Sequence, residues 1–186
     1  FNDVKEDLIT FASVELYKIL KCKLVAVSYP GAQGDRCVLL GEGRNVLRTY
    51  IDIIAIKESN LKVTVFLEEC KDSIVKSKTD ALKLNKFINS QEQVNGLKQL
   101  IQKSNNNNNL GEIKISVGAK YSKNIPYLDV DYILMFDIEN NQNKTIINYS
   151  VALIDTSLIN MFSALSNENG KLKGEIVLEK LFIIQN

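Results

Sequence analysis

Apolar residues recur at intervals of three and four positions near the start of the chain, and this spacing predicts a helix over residues 3–20. Asp3 is a suitable N-cap residue, and Glu6 follows three positions later. At 100° per residue, Glu15 falls within the apolar face rather than opposite it. A carboxylate at that position is expected to face the core or a polar cleft beside it.

Short apolar runs between turn signals then predict strands over residues 37–40, 48–56 and 61–71, after a further apolar run at 23–28. The turn Glu58-Ser59-Asn60 joins the last two strands into a β-hairpin. Periodic segments predict helices over 74–88 and 91–103, and an asparagine-rich loop follows at 104–109.

The second half of the chain has mostly strand-like patterns, at residues 112–119, 129–138 and 146–154. Residues 156–166 are predicted to form a short helix, and 174–184 an edge strand or a helix. The order of elements predicts an α/β fold with a mixed central β-sheet flanked by helices. We expect one domain over 1–186, with a catalytic core at about 1–103 and a strand-rich remainder at 110–186.

Composition narrows the possible chemistry. The 186 residues carry a net charge of +1, so any nucleic-acid footprint must be local. There is no histidine, which excludes Ser-His-Asp and Cys-His pairs and histidine-based zinc sites. The three cysteines form no CxxC pair, and no apolar run is long enough to span a bilayer. A cytoplasmic protein is the expectation.

A group of charged residues lies at the predicted end of the hairpin. Because strand residues alternate between faces, Glu69 and Lys71 share the face of the apolar residues that precede them, and Asp52 can lie beside them on the paired strand. Two carboxylates can hold Mg²⁺, and the backbone carbonyl of Cys70 is a further candidate ligand. Lysine can orient or deprotonate an attacking water and offset charge in the transition state.

The aspartate in "YIDIIAI" and the Glu-x-Lys in "VFLEECKDS" resemble the motifs of the PD-(D/E)xK nuclease superfamily, although the proline that names the motif is absent. The resemblance covers roughly residues 1–90. It implies a restriction endonuclease-like core, Mg²⁺ (for which Mn²⁺ can substitute) at Asp52 and Glu69, water activation by Lys71, and products with a 5′-phosphate. It also implies that a glutamate on the first helix completes the site, a role that Glu15 matches.

Other interpretations of these residues stay open. Glu69 and Lys71 can be a surface ion pair, and Asp52 and Glu15 can face solvent. Glu68 is an alternative to Glu69 as the metal-binding carboxylate, but it is less favoured because alternation places it on the opposite face of the strand. Asp35 is an alternative to Asp52, but it lies in a sequence that is more typical of an ordinary turn. The candidate contacts to DNA are basic residues around the hairpin and in a later loop: Arg48, Lys78, Lys120 and Lys123. Lys78 is predicted on the buried face of its helix with Ile74, Ala81, Leu82, Asn85 and Ile88.

The expected function is therefore a Mg²⁺-dependent endonuclease acting on double-stranded DNA. A type II-like restriction enzyme, or the nuclease domain of one, is the favoured interpretation. We expect a homodimer or part of a larger chain, because duplex DNA has two strands to cut, and no membrane association. The alternatives are a repair or junction-resolving nuclease, and a non-catalytic nucleic-acid-binding or interaction domain of the same fold.

Overall fold

A computed structural model describes residues 2–28, 38–40, 47–49, 51–59, 61–105, 109–153, 155–163, 165–168 and 171–179. The helices are α1 (Asn2–Ile19), α2 (Ser77–Ile88) and α3 (Gln91–Ser104). The strands are β1 (Lys23–Val27), β2 (Val38–Leu40), β3 (Leu47–Thr49), β4 (Ile53–Ser59), β5 (Lys62–Lys71), β6 (Leu110–Lys120), β7 (Tyr132–Asn141), β8 (Lys144–Leu153), β9 (Ser166–Glu168) and β10 (Lys171–Glu179). Within these residues, no helix combines the length and apolar character needed to cross a membrane.

Eight of the strands form one mixed sheet in the order β1-β4-β5-β6-β7-β8-β10-β9, and β2 pairs separately with β3. The predicted hairpin is confirmed, since β4 and β5 pair antiparallel. Strand β6 then pairs parallel with β5, and β7 pairs parallel with β6. Parallel neighbours need a crossover connection, which α2 and α3 supply between β5 and β6. The α/β class with a mixed sheet is therefore confirmed.

Alternating side chains of the sheet supply two hydrophobic cores. On one face, Ile53, Ala55 and Phe66 pack with residues of α1. On the other, Ile54, Ile56 and Leu67 pack with residues of α2 and α3, such as Leu84 and Leu97. Because both faces of the central strands are covered, their sequences are apolar at nearly every position. The C-terminal end of β5, a central strand, thus lies at one end of the sheet, with α1 on one face and α2 and α3 on the other.

One predicted strand, over residues 48–56, is wrong as a continuous element. The chain forms β3 and β4 as separate strands, and Asp52 lies in a bend just before β4. Aspartate is disfavoured within strands. Its carboxylate Oδ2 instead accepts a hydrogen bond of 2.8 Å from the backbone N–H of Cys70. The bend therefore places the Asp52 side chain across the end of β5.

The predicted buried face of α2 is confirmed at Ile74 and Ala81 and is wrong at Lys78 and Leu82. Residues 74–76 form a 3₁₀ turn before the α-helix begins. A 3₁₀ turn rotates each residue by about 120° rather than 100°, so three residues shift the following face by about 60°. As a result Asp80 is buried, whereas Lys78 and Leu82 are exposed. Lys78 consequently does not border a buried cleft.

The end of the chain differs from the prediction in two ways. Residues 156–158 form only a 3₁₀ turn within the predicted helix at 156–166. Within the segment 174–184, predicted as an edge strand or helix, residues 174–179 belong to the strand β10, which lies inside the sheet between β8 and β9, and residues 180–184 lie outside the described residues. The short outer strand β9 was not predicted, because three residues carry too little periodicity to be recognised.

Candidate active site

The carboxyl groups of Asp52 and Glu69 meet at the end of the hairpin. Ile53 pairs with Glu68 across the two strands, so Asp52, one residue further along, lies opposite Glu69. A hydrogen bond between the two side chains is one of the interactions that act on the pKa of Asp52. The two-residue turn between β4 and β5 sets the register of the hairpin, and alternation along each strand puts both side chains on the same face. Together they bring Asp52 and Glu69 next to each other, as the sequence predicts.

Burial dominates the electrostatics of this pair. It raises the pKa of Asp52, although hydrogen bonds from Cys70 and Glu69 and the charges of Lys83 and Lys71 act in the opposite direction. Burial and the neighbouring Asp52 carboxylate raise the pKa of Glu69 well above its ordinary range, against the attraction of Lys83. Two carboxylates that repel each other in a shielded place bind cations more readily than separate ones do.

Lys83, on α2, is the cation that contacts this pair. Its Nζ lies 2.6 Å from Glu69 Oε1, in an ion pair whose acidic side chain is only 6% exposed. The sequence analysis did not identify this contact. It joins two elements that are separate in the sequence, so the periodicity of either element alone does not indicate it. The sequence predicts Lys71 as the lysine beside the two carboxylates. In the structure, Lys83 also lies next to them.

Lys71 lies at the last position of β5 and reaches across the sheet edge to α1. Its Nζ is 3.3 Å from Glu6 Oε1. Burial lowers the pKa of Lys71, but the negative charges of Asp80, Glu6 and Asp52 outweigh this effect, and the net change is upward. Lys71 is consequently held in the charged form, next to three carboxylates.

Asp80 is a further acidic residue that the sequence analysis missed. It is 9% exposed, and its Oδ2 atom is buried without a hydrogen-bond partner among the described residues. Burial raises its pKa, and the Lys71 and Lys83 charges oppose that shift. Asp80 is not among the residues of the face predicted for this helix, because that prediction assumed α-helical geometry from residue 74, where the structure has a 3₁₀ turn.

The glutamate of α1 that reaches Lys71 is Glu6 rather than Glu15. Glu15 instead pairs with Lys18 on its own helix, at 3.0 Å. The two glutamates are separated by about 13 Å along the helix axis at a rise of 1.5 Å per residue. The contact of Glu6 with Lys71 places the N-terminal part of α1 near the end of β5, and the metal-site role of Glu15 stays a prediction.

Glu68 occupies a separate polar cluster on the α1 face of the sheet, as alternation predicts. It is fully buried and accepts hydrogen bonds from Tyr17 Oη at 3.4 Å and Ser116 Oγ at 3.3 Å. Tyr17 and Tyr132 share a hydrogen bond of 2.5 Å between their hydroxyl groups. The side chain of Cys70 also points to this cluster, with Sγ 3.4 Å from Glu68 Oε2. The Cys70 thiol is thus turned away from Glu69, and the carbonyl role proposed for this residue stays a prediction.

The predicted DNA contacts lie on different parts of the surface. Lys78, Lys120 and Lys123 are exposed. Lys120 lines a small apolar cavity of about 130 Å³ beside α1, together with Leu8 and Phe136. Arg48 belongs to β3, but its side chain lies outside the part of the chain that the structure describes, as does Asp35.

The larger cavities of the described residues lie away from these carboxylates. One of about 540 Å³ is lined by Tyr121 and by residues of β7, β8 and β10, among them Asp137 and Glu175, and one of about 450 Å³ lies beside Asn85 and Asp155. Asp52, Glu69 and Lys71 line neither of them. Neither of these two cavities marks the candidate site, and the charged groups described above define it.

The donor set fits a hard divalent cation in kind. Asp52 and Glu69 offer carboxylate oxygens, and the buried Asp80 Oδ2 is an unpartnered oxygen near the same charges. Among the described residues, no group of three or more cysteine and acidic side chains is arranged to hold a metal ion. Mg²⁺ commonly binds through one or two carboxylates and completes its shell with water and substrate phosphate. The pair Asp52 and Glu69 is therefore the candidate metal position.

Comparisons with protein-family models, with curated proteins and with solved structures found no match to this chain.

Proposed function

We propose that the protein is a Mg²⁺-dependent endonuclease that hydrolyses DNA phosphodiester bonds at the end of the β4–β5 hairpin. The observation that carries the proposal is the meeting of the Asp52 and Glu69 carboxyl groups beside Lys71. The order of a helix, an antiparallel hairpin, a helical crossover and a parallel strand supports a restriction endonuclease-like core.

Asp52 and Glu69 would hold the metal ion. When bound, Mg²⁺ supplies Lewis-acid polarisation of the phosphate and lowers the pKa of coordinated water. The carboxylates gain a cation that relieves their mutual repulsion. The N–H of Cys70 orients Asp52 through its hydrogen bond to Oδ2.

Lys71 has the role of a charged donor in this proposal. Since Asp80 and Glu6 raise its pKa, the ammonium group carries its proton and neutralises charge on the phosphate rather than removing a proton from water. The attacking water oxygen bonds to phosphorus and releases a proton to the surrounding solvent, the bond from phosphorus to O3′ breaks, and O3′ takes up a proton from solvent. The products are a 5′-phosphate and a 3′-hydroxyl.

A second candidate is a non-catalytic nucleic-acid-binding or interaction domain. The observation that favours it is the ion pair between Lys83 and Glu69 at 2.6 Å, because a structural ion pair also accounts for a buried glutamate. In that case the cluster stabilises the contact between β5 and α2, and a metal ion has no function there.

The two candidates differ in a cleavage assay. The protein is incubated with supercoiled plasmid in Mg²⁺, in EDTA, and in Mg²⁺ as the Lys71→Ala variant. Lys98→Ala, which removes an exposed lysine of α3, is the matched control. The nuclease proposal predicts that the wild type nicks or linearises the plasmid in Mg²⁺ but not in EDTA. In Mg²⁺, Lys71→Ala should lose this cleavage and Lys98→Ala should keep it. Absence of cleavage in all conditions would support the non-catalytic domain instead.

A further inference from the structure

The connection between β6 and β7 begins at the same edge of the sheet as the candidate active site. Strands β5 and β6 are parallel, and Lys71 pairs in register with Ala119. The chain leaves β6 one residue later, at Lys120. Residues 120–127, here called the aromatic loop, therefore start on the strand adjacent to the one that carries Glu69 and Lys71.

The aromatic loop presents large side chains to solvent. Tyr127 is 85% exposed, Tyr121 49% and Ile125 43%. The charged residues within 120–127 are Lys120 and Lys123, with no carboxylate among them. Exposed aromatic side chains grouped with cations are typical of surfaces that bind a partner with flat apolar groups and negative charge.

Both ends of the loop are anchored. The backbone N–H of Tyr121 donates to the Phe136 carbonyl at 2.7 Å. Just after the loop, Leu128 and Val130 are buried in the core under α2 and α3. The Asp131 carboxylate accepts the N–H of Ile115 at 2.7 Å. Because the backbone at both ends of the loop is already held in place, binding at the loop costs less backbone conformational entropy than binding at a free segment.

We propose that the aromatic loop stacks on unpaired nucleic-acid bases, so that the protein prefers DNA with single-stranded or unpaired segments. Every base offers a π-face for stacking on Tyr127 and Tyr121, while Lys120 and Lys123 contact backbone phosphates. This inference names the substrate class of the proposed nuclease, and its statement about cleavage rests on that proposed function. It favours a repair or junction-resolving role over a restriction enzyme that reads intact duplex.

The test is a binding measurement in EDTA, so that cleavage does not interfere. Fluorescence anisotropy compares a labelled oligothymidine of roughly 20 nucleotides with a blunt duplex of the same length. The variants are Tyr127→Ala, the conservative Tyr127→Phe, and Val177→Ala as an exposed apolar control on β10. Circular dichroism checks that each variant is folded.

We expect the wild-type protein to bind the single strand more tightly than the duplex. Tyr127→Ala should weaken single-strand binding about fivefold or more and leave duplex binding within about twofold, because a stacked base contributes roughly that much. Tyr127→Phe and Val177→Ala should bind as the wild type does. Tighter binding of the duplex, equal binding by Tyr127→Ala, or binding of neither DNA would each overturn the inference.

These outcomes are separate from those of the cleavage assay. Mg²⁺-dependent plasmid cleavage with no effect of Tyr127→Ala on single-strand binding rejects only the stacking loop. Binding to the single strand that depends on Tyr127, with no cleavage in any condition, retains the loop as a binding site and rejects the nuclease.

Discussion

The fully buried Glu68 is expected to make the stability of the protein depend on pH. Its carboxyl group contacts the hydroxyl groups of Tyr17 and Ser116 and the thiol of Cys70. Burial raises the pKa of Glu68 to about 7, while hydrogen bonds from Ser13, Cys70 and Ser116 lower it and the Asp52 charge raises it further. The replacement of Glu68 by glutamine keeps the shape of the protonated carboxyl group and removes its titration.

The sign and the size of the effect follow from proton linkage. Below the ordinary pKa of 4.5, Glu68 is protonated in both the folded and the unfolded chain. Between that value and about 7, the folded chain binds more protons than the unfolded chain, so the free energy of unfolding falls as pH rises. At about 1.4 kcal/mol per pH unit, the total loss is about 3 kcal/mol, and it stays constant above the folded pKa.

The assay is urea unfolding of the wild type and of Glu68→Gln at about pH 5 and about pH 8. At each pH, the unfolding free energy of the wild type is subtracted from that of Glu68→Gln. This difference should be about 2–3 kcal/mol larger at the higher pH than at the lower pH. This double difference cancels the cost of packing the amide itself. Glu92→Gln, at an exposed position of α3, should show no such change. A Glu68→Gln difference that is the same at both pH values would refute the assignment of a buried, mostly protonated glutamate.

Two further predictions concern the neighbours of the two acidic clusters. Gly118→Ala would place a methyl group 2.9 Å from Ser13 Oγ and 3.3 Å from Glu68 Oε2. We expect this crowding to lower the free energy of unfolding by about 1–3 kcal/mol, measured by urea unfolding. An unchanged urea midpoint would contradict this expectation. Lys83→Met removes the cation that competes for Glu69, so Mg²⁺ should raise the thermal midpoint of this variant by more than it raises that of the wild type. An equal or smaller Mg²⁺ effect would show that Lys83 does not compete for a metal position.

The hairpin and its charged end could be predicted because they depend on local rules. Alternation along β5 separates Glu68 from Glu69, and the short turn sets the register that brings Asp52 opposite Glu69. The apolar periodicity likewise locates α1 and α3 to within one or two residues.

The rest of the site depends on contacts between distant elements. Lys83 contacts Glu69 from α2, Asp80 is buried on the same helix after a 3₁₀ turn, and Glu6 contacts Lys71 from the N-terminal part of α1. The Tyr17–Tyr132 hydrogen bond joins a helix to a strand 115 positions away. Sequence periodicity reports which face of an element is buried, but not which residue of another element packs against it.

The central claim is that Asp52, Glu69 and Lys71 cut DNA together, and it is tested most directly by the cleavage rate of Glu69→Gln in Mg²⁺. Lewis-acid stabilisation of several kcal/mol corresponds to a loss of at least about 100-fold when the metal position is removed. We predict that loss for Glu69→Gln with binding to DNA retained, and a wild-type rate for the exposed control Glu92→Gln. Cleavage by Glu69→Gln at the rate of the control would contradict the account.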